Sequence, residues 1–192
     1  MHVLILEYSM IKISTTEVAI LGLLSDRPMY GYEIEKIIEE RKMRNWTSIG
    51  FSSIYYSLNK MEKKEFVVSE RVNVEGKPSR KVFSITAKGE SVLKEQISTF
   101  ISRVEKTNSK FELGLMNLEI LSKKEIMDCF ADYMESIDRQ IAHYEKLEKN
   151  LGQINVPFYI PQLATRPLRL LKEEKKWVAD FVEEIKSKYP RS

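Results

Sequence analysis

The order of the predicted elements in residues 14–90 constrains the fold more than any other feature of the sequence. Three short helices come first, and two strands joined by a turn follow them. Ser14 and Glu17 have the spacing of a capping box, which predicts the start of the first helix. Pro28 predicts its end, because the residue before a proline avoids the α region. A second amphipathic helix is predicted over residues 31–42.

The third helix is predicted to run from a cap at Ser52 or Ser53 to about Glu65, with one apolar and one polar face. The residues on the predicted core face are Ile54, Leu58, Met61 and Glu65. The residues on the opposite face are Ser52, Tyr56, Asn59, Lys60 and Lys63, with Tyr55 at its edge. Hydroxyl, amide and ammonium groups can reach base edges and phosphates in a major groove. This face therefore predicts DNA recognition, although an ordinary surface helix could carry the same residues.

A β-hairpin is predicted directly after the third helix. Residues 66–74 and 80–85 are rich in β-branched residues, and residues 75–79 between them contain glycine and proline. The basic residues of the hairpin are Lys77 at its tip and Arg80 and Lys81 at its base. Thr86 closes the hairpin and can cap the next helix. Three helices followed by such a hairpin describe a winged helix, with a wing placed to hold phosphates.

Positive charge is concentrated in the same part of the chain. Residues 41–88 contain eleven basic and four acidic residues, so they carry a net charge of +7, whereas the whole chain carries only +3. The rest of the chain is therefore negative. This asymmetry favours a polyanionic partner for the amino-terminal half.

Four segments, in this order, resemble the PadR-like family of winged-helix transcriptional regulators, in its longer form. They are EVAILGLLS at residues 17–25, PMYGYEI at residues 28–34, SIYYSLNKME at residues 53–62 and GKPSRKVFSITAKG at residues 76–89. Tyr56 stands where the family pattern commonly has proline. The resemblance implies a winged-helix DNA-binding domain, a carboxyl-terminal helical region that forms a dimer, and regulation by small aromatic or amphipathic ligands.

The carboxyl-terminal half is predicted to contain helices that make a homodimer. A long helix should begin at a second capping box, Ser122 to Glu125, and a last helix is predicted to begin with Thr165 as its cap and Pro167 in its first turn. The apolar side chains predicted to make the dimer contact are Ile126, Phe130, Tyr133, Ile137, Ile141, Tyr144, Trp177 and Phe181. These helices exceed what one small winged helix can cover, so pairing across a two-fold axis is expected. The alternative is a monomer whose helices all pack on the winged helix.

The sequence offers little for catalysis. One cysteine, Cys129, excludes an internal disulfide, and its apolar neighbours predict a buried position. The two histidines are His2 and His143, and no motif for a nucleophile, a phosphate loop or a metal site occurs. We therefore expect no enzyme activity, no metal and no cofactor.

The sequence thus predicts a mainly α chain with three parts: an amino-terminal arm over residues 1–13, a winged-helix domain over 14–90 and a helical dimerisation domain over 91–192. The predicted function is sequence-specific regulation of transcription in the cytoplasm, as a repressor or an activator, by a homodimer on a palindromic operator. Aromatic residues distributed along the chain suggest the further hypothesis of an apolar pocket for a small aromatic effector. The alternative is a winged-helix module that binds another protein and not DNA.

Overall fold

The computed structural model describes residues 12–41, 43–45, 49–72, 79–104 and 109–189. The chain divides into two compact units, residues 1–106 and 107–192. No helix in the described ranges is long and apolar enough to span a membrane. Most of the predicted arm, residues 1–11, and most of the predicted wing turn, including Lys77, lie outside the described residues.

The described residues of the first unit form four helices and a three-stranded antiparallel sheet. Its elements are α1 (Thr15–Leu24), β1 (Met29–Tyr30), α2 (Gly31–Glu40), a 3-10 turn (Met43–Asn45), α3 (Phe51–Lys63), β2 (Val67–Val72), β3 (Arg80–Ile85) and α4 (Ala87–Ser102). The sheet order is β1-β3-β2, and Val67 pairs with Ile85 at one end of the β2–β3 ladder. The predicted three helices and hairpin are therefore present. The two-residue strand β1, which pairs with Val82 and Phe83, was not predicted.

Side chains from all four helices of the first unit meet in one core. Ile20, Ile34 and Ile54 each contribute a side chain with no exposed surface. The capping box at the start of α1 forms as predicted, and Thr86 caps α4 by accepting a hydrogen bond from the backbone N–H of Gly89. Val92 and Leu93 of α4 are buried in the same core. The first unit therefore includes α4, which runs on past the domain boundary predicted at residue 90.

Two details of α3 differ from the prediction. The helix begins one residue before Ser52, with Gly50 as its N-cap and no side-chain cap. Glu65 does not lie on the core face, because the helix ends at Lys63 and the Glu65 side chain is exposed. Glu65 instead has a φ of 62°, and the backbone N–H of Phe66 donates to the carbonyl of Met61 at 2.9 Å. This is a Schellman ending in which glutamate occupies the position that usually belongs to glycine.

We expect Glu65→Gly to raise the free energy of unfolding by about 1 kcal/mol, since an L-residue in the left-handed region costs about that much. Both side chains of the Glu65–Lys88 ion pair are exposed, so the loss of this pair should reduce the gain in stability only slightly. Urea unfolding followed by circular dichroism measures the change. The matched control, Lys63→Gly, places glycine in the last residue of α3 and should lower the stability. Equal destabilisation by both variants would contradict the assignment of strain to Glu65.

The second unit is built on a helical hairpin. Its elements are α5 (Lys110–Leu115), a 3-10 turn (Leu118–Ile120), α6 (Lys123–Leu151) and α7 (Gln162–Lys188). The capping box at Ser122 forms as predicted. The predicted start of the last helix is wrong by several residues, because Thr165 lies inside α7, where its hydroxyl is 3.0 Å from Glu148 of α6.

The apolar stripes of α6 and α7 face each other within the chain. Ile126, Ile137 and Val178 are almost fully buried where the two helices pack. Lys123, the first residue of α6, donates to the carbonyl of Lys186 at 2.8 Å and so caps the last turn of α7. The prediction for Cys129 is wrong, because its side chain is exposed on α6. The buried apolar face of α6 is therefore narrower than the sequence predicted, and Cys129 lies next to this face.

Candidate nucleic-acid interface

The face of α3 opposite the core is polar and accessible. Tyr56 has 70% of its surface exposed, and Ser52, Asn59 and Lys63 are also exposed. Ser53 is half-buried, and its hydroxyl lies against the carbonyl of Gly50. The structure therefore brings these predicted contact residues together on the surface of one helix. Hydroxyl, amide and ammonium groups on this surface suit base edges and phosphates.

A concave surface that encloses a volume of about 690 Å³ lies between α3, the start of α2 and the base of the hairpin. Its lining residues are Tyr30, Gly31, Tyr32, Tyr55, Asn59, Arg80, Lys81 and Phe83. The Arg80 guanidinium lies 5.3 Å from the centre of the Tyr32 ring, and this ring stacks on Tyr30. Tyr55 packs over Gly31, where an added Cβ would meet the Tyr55 ring at 2.6 Å. Tyr30 and Tyr32 were not predicted as site residues, because only their place beside Arg80 in the fold identifies them.

Lys81 is held by α3 rather than free at the base of the wing. Its ammonium lies 3.2 Å from a carboxylate oxygen of Glu62, and the hydroxyl of Ser69 donates to the other oxygen. These two hydrogen bonds lower the pKa of the Glu62 carboxyl, with the bond from Ser69 the stronger cause. Arg71 lies opposite Lys81 in the β2–β3 ladder, so the two side chains share one face of the hairpin.

Lys60 also has a carboxylate partner. Its ammonium lies 3.0 Å from Oε1 of Glu17, whose side chain has only 1% of its surface exposed. The other oxygen, Oε2, accepts a hydrogen bond of 2.6 Å from the backbone N–H of Ser14. Burial alone would raise the pKa of the Glu17 carboxyl, but the bond from Ser14 and the Lys60 ammonium together bring the pKa below its ordinary value of 4.5.

This lowered pKa predicts a pH-dependent contribution to stability. The contribution of the Glu17 carboxylate is fully present above the unfolded-state pKa and is lost as the pH falls through the lower folded-state pKa. We expect Glu17→Gln to cost about 1 to 2 kcal/mol at pH 7, and less at acid pH. Urea unfolding of both proteins between pH 3 and pH 7 measures the difference. The exposed Glu95→Gln serves as the control, and a difference that stays constant over this range would contradict the prediction.

Carboxylate partners occupy several of the basic side chains in the basic segment, residues 41–88. Arg44, one of these basic residues, is held by Glu35 and Glu39 and donates to the carbonyl of Ile49 at 3.0 Å. Arg44 therefore links α2 to the carbonyl of Ile49, just before α3. Among the described residues of the segment, the basic side chains for which the structure gives no ion pair are Lys63, Lys64, Arg71 and Arg80. These cations remain available to bind phosphates.

The predicted dimerisation residues lie on the α6–α7 hairpin. Ile126, Phe130 and Ile137 are buried within it, so a second copy could reach them only if the hairpin opened. Tyr133, Ile141, Tyr144 and Phe181 are partly buried, and Trp177 is the exposed member of the set, at 41%.

Five of the aromatic rings in the second unit form one cluster. They are Phe111, Phe130, Tyr133, Trp177 and Phe181. The centre of the Phe111 ring lies 4.7 Å from that of Tyr133, and the centre of the Trp177 ring lies 5.2 Å from that of Phe181. The Tyr133 hydroxyl lies 3.1 Å from Glu174, and burial together with this carboxylate raises the pKa of Tyr133. Within the described residues, no group of histidine, cysteine and carboxylate side chains could hold a metal ion.

Comparison with known proteins identifies relatives of this chain. Residues 20–95 match the family described as "Transcriptional regulator PadR-like family". The negative transcriptional regulator PadR of Bacillus subtilis strain 168 is 28% identical over 134 residues, which are 67% of this chain and 72% of that protein.

The solved structures give the same fold. Bacillus subtilis PadR in complex with operator DNA superposes with a TM-score of 0.68, at 22% identity, over 88% of this chain and 98% of that one. The complex of the same protein with p-coumaric acid gives a TM-score of 0.70 with the same identity and coverage. The Vibrio cholerae virulence activator AphA gives 0.65, at 22% identity, over 90% of this chain and 99% of that one. The predicted fold class, a winged helix followed by a helical region, is confirmed.

Proposed function

We propose that this chain, whose residues 20–95 belong to the PadR-like family of transcriptional regulators, acts as a homodimer that binds a palindromic operator. The family consists of transcriptional regulators and not of enzymes, in agreement with the sequence prediction. The observation that carries the proposal is the accessible polar face of α3. This face lies beside the concave surface that Arg80 helps to line. In this account α3 enters the major groove, and the hairpin holds the flanking backbone.

Base contacts are assigned to Tyr56, Asn59 and Ser52, which are exposed on α3. Asparagine can pair with both hydrogen-bonding groups of an adenine edge, and tyrosine and serine hydroxyls can donate or accept. Phosphate contacts are assigned to Lys63, Arg71 and Arg80, with Lys77 as a further expected contact outside the described residues. The PadR structure with operator DNA supports this placement by its shared fold.

A dimer is supported by apolar side chains that the chain leaves exposed. Ile101, near the end of α4, and Val104, just after the helix, have 83% and 98% of their surfaces exposed, and Met116 and Ile120 in the second unit have 83% and 82% exposed. A contact between two copies through these side chains would remove their apolar surface from water. A two-fold dimer would place two copies of α3 about one DNA turn, ~34 Å, apart.

A small aromatic effector is part of the proposal. Bacillus subtilis PadR has been solved with p-coumaric acid, and the present chain carries its own cluster of rings around Trp177. Such a ligand would regulate DNA binding only by favouring one arrangement of the two α3 helices over another. The fluorescence of the two tryptophans, Trp46 and Trp177, during titration with hydroxycinnamic acids reports binding. An unchanged affinity for DNA at saturating ligand would contradict a regulatory role.

The proposal is tested by selecting duplexes from a random library with the purified protein. The affinity for the recovered duplex is then compared with that for a random duplex across a salt series. We expect tight binding to the selected duplex, a steep loss of affinity with salt, and two chains per duplex by light scattering. Failure to enrich any sequence would instead favour a winged-helix module that binds another protein. The proposal also implies a cytoplasmic location, where the chromosome is accessible.

A further inference from the structure

The Glu17–Lys60 ion pair joins the start of α1 to the last turn of α3. Oε1 of Glu17 is buried, and its polar partner is the Lys60 ammonium at 3.0 Å. Lys60 itself keeps 40% of its side chain exposed. The carboxylate is fixed from the other side, because its Oε2 accepts from the backbone N–H of Ser14. Glu17 is thus a rigid anchor, and Lys60 is the side chain that attaches α3 to it.

Lys60 cannot bind a phosphate without a cost at Glu17. Moving the ammonium to a DNA phosphate would leave a buried carboxylate oxygen without its cation, and such an unpaired buried charge is strongly unfavourable. No such cost attaches to Lys63, which is exposed in the same turn. The two lysines of α3 therefore have different environments although the sequence presents them as equivalent.

The ion pair also restrains the rotation of α3 about its own axis, together with Ile54, Leu58 and Met61, which are buried in the core. Lys60 follows Asn59 directly, so the two side chains project about 100° apart around the helix. Holding Lys60 at Glu17 therefore holds Asn59 and Tyr56 at the exposed side. Recognition of bases by hydrogen bonds requires this rotation to be set within a small angle, because bidentate contacts are directional.

We propose that Lys60 is a positioning residue, which orients α3 for operator recognition through its ion pair with Glu17 and does not itself bind a phosphate. This inference rests on the proposed function. It assigns Glu17, which is buried in α1 and contacts no DNA, a role in sequence specificity. It also replaces the sequence-based assignment of Lys60 as a phosphate-binding residue.

The sign of the effect of Glu17→Gln separates positioning from simple electrostatics. The substitution removes a negative charge and releases Lys60, so an electrostatic role alone would tighten the binding of any DNA. Positioning predicts the opposite for the operator. We expect Glu17→Gln to weaken binding of the duplex selected by the wild-type protein about tenfold, which is the discrimination that one well-placed base pairing provides. Binding of a random duplex should stay within about twofold, since nonspecific binding depends on the phosphates.

The experiment measures the affinities of five proteins for both duplexes across a salt series. The proteins are the wild type, Glu17→Gln, Lys60→Arg, the double variant Glu17→Gln/Lys60→Met, and Lys63→Met as the control. The double variant has no unpaired buried charge, so it tests the inference without the risk that Lys60→Met alone fails to fold. Thermal unfolding by circular dichroism verifies that each protein is folded.

The inference predicts that the double variant binds the operator about tenfold more weakly, as Glu17→Gln does, and keeps the wild-type salt slope. Lys60→Arg, which keeps a cation at Glu17, should retain operator binding. Lys63→Met should lower the salt slope on both duplexes, by about 0.9 for each phosphate that Lys63 neutralises. A reduced slope in the double variant, or tighter operator binding by Glu17→Gln, would overturn the inference. A wild-type protein that selects no sequence would overturn the proposed function itself, and this outcome is visible before any variant is made.

Discussion

Gly89→Ala is expected to lower the free energy of unfolding by about 3 kcal/mol, near the upper end of the cost of overpacking a tight contact. A Cβ on Gly89 would lie 2.1 Å from the carbonyl oxygen of Phe66, which is a backbone atom. That carbonyl cannot move aside easily, because it accepts a hydrogen bond from the backbone N–H of Thr86 at 3.0 Å. The close approach joins the end of α3 to the start of α4, so the whole first unit depends on it.

Gly22→Ala is the matched control for Gly89→Ala. Gly22 lies in α1, and a Cβ added there meets nothing within 4 Å. Alanine is the better helix former, so this variant should gain up to about 1 kcal/mol. Urea unfolding of the two variants and the wild type measures both changes. Equal stabilities of the two alanine variants would contradict the account of the α3–α4 junction.

The triple variant Lys63→Ala/Arg71→Ala/Arg80→Ala is expected to weaken operator binding by about a thousandfold at moderate salt. These three side chains have no ion pair among the described residues, and Lys63 lies on α3 while Arg71 and Arg80 lie on the hairpin. A dimer of this variant would neutralise about six fewer phosphates, so the slope of log affinity against log salt should fall by about 5. Fluorescence anisotropy with the selected duplex from about 50 to 300 mM salt measures both quantities.

The control for this prediction removes the same charge from the second unit. Lys124, Lys146 and Lys149 lie on α6 and are not part of the proposed interface, so their replacement by alanine should leave the salt slope unchanged. A similar fall of the slope in both triple variants would mean that net charge alone drives the binding. That result would contradict the assignment of the phosphate contacts to α3 and the hairpin.

The sequence predicted the features that are coded locally. The capping boxes at Ser14 and Ser122, the cap at Thr86 and the core side of α3 apart from Glu65 each depend on residues three or four positions apart, and the structure confirms them. The order of helices and strands follows from the same short-range patterns. It is this order, with the family resemblance, that predicted the winged helix.

The features that the sequence did not predict depend on contacts between distant residues. Glu17 and Lys60 lie on different helices, and no periodicity connects them. The same is true of Tyr32 beside Arg80 and of Glu62 beside Lys81. The conformation of Glu65 was missed for another reason, since glutamate gives no signal for a position that usually requires glycine.

The apolar face of α6 differs from the prediction in a third way, because its partner in the structure is not the predicted one. Its spacing correctly predicted a helix with one apolar face, but spacing does not identify the partner that covers the face. The structure places α7 of the same chain there, with Val178 fully buried between the helices. The apolar residues that remain accessible to the proposed second copy are therefore the exposed ones, among them Ile101, Val104 and Met116.

The most direct test of the proposed dimer on a palindromic operator is a hydroxyl-radical footprint of the protein on its selected duplex. The account predicts two protected half-sites that are related by a two-fold axis, with their centres about one helical turn apart. A single protected half-site, or uniform protection along the duplex, would contradict a symmetric dimer that reads the operator with its two α3 helices.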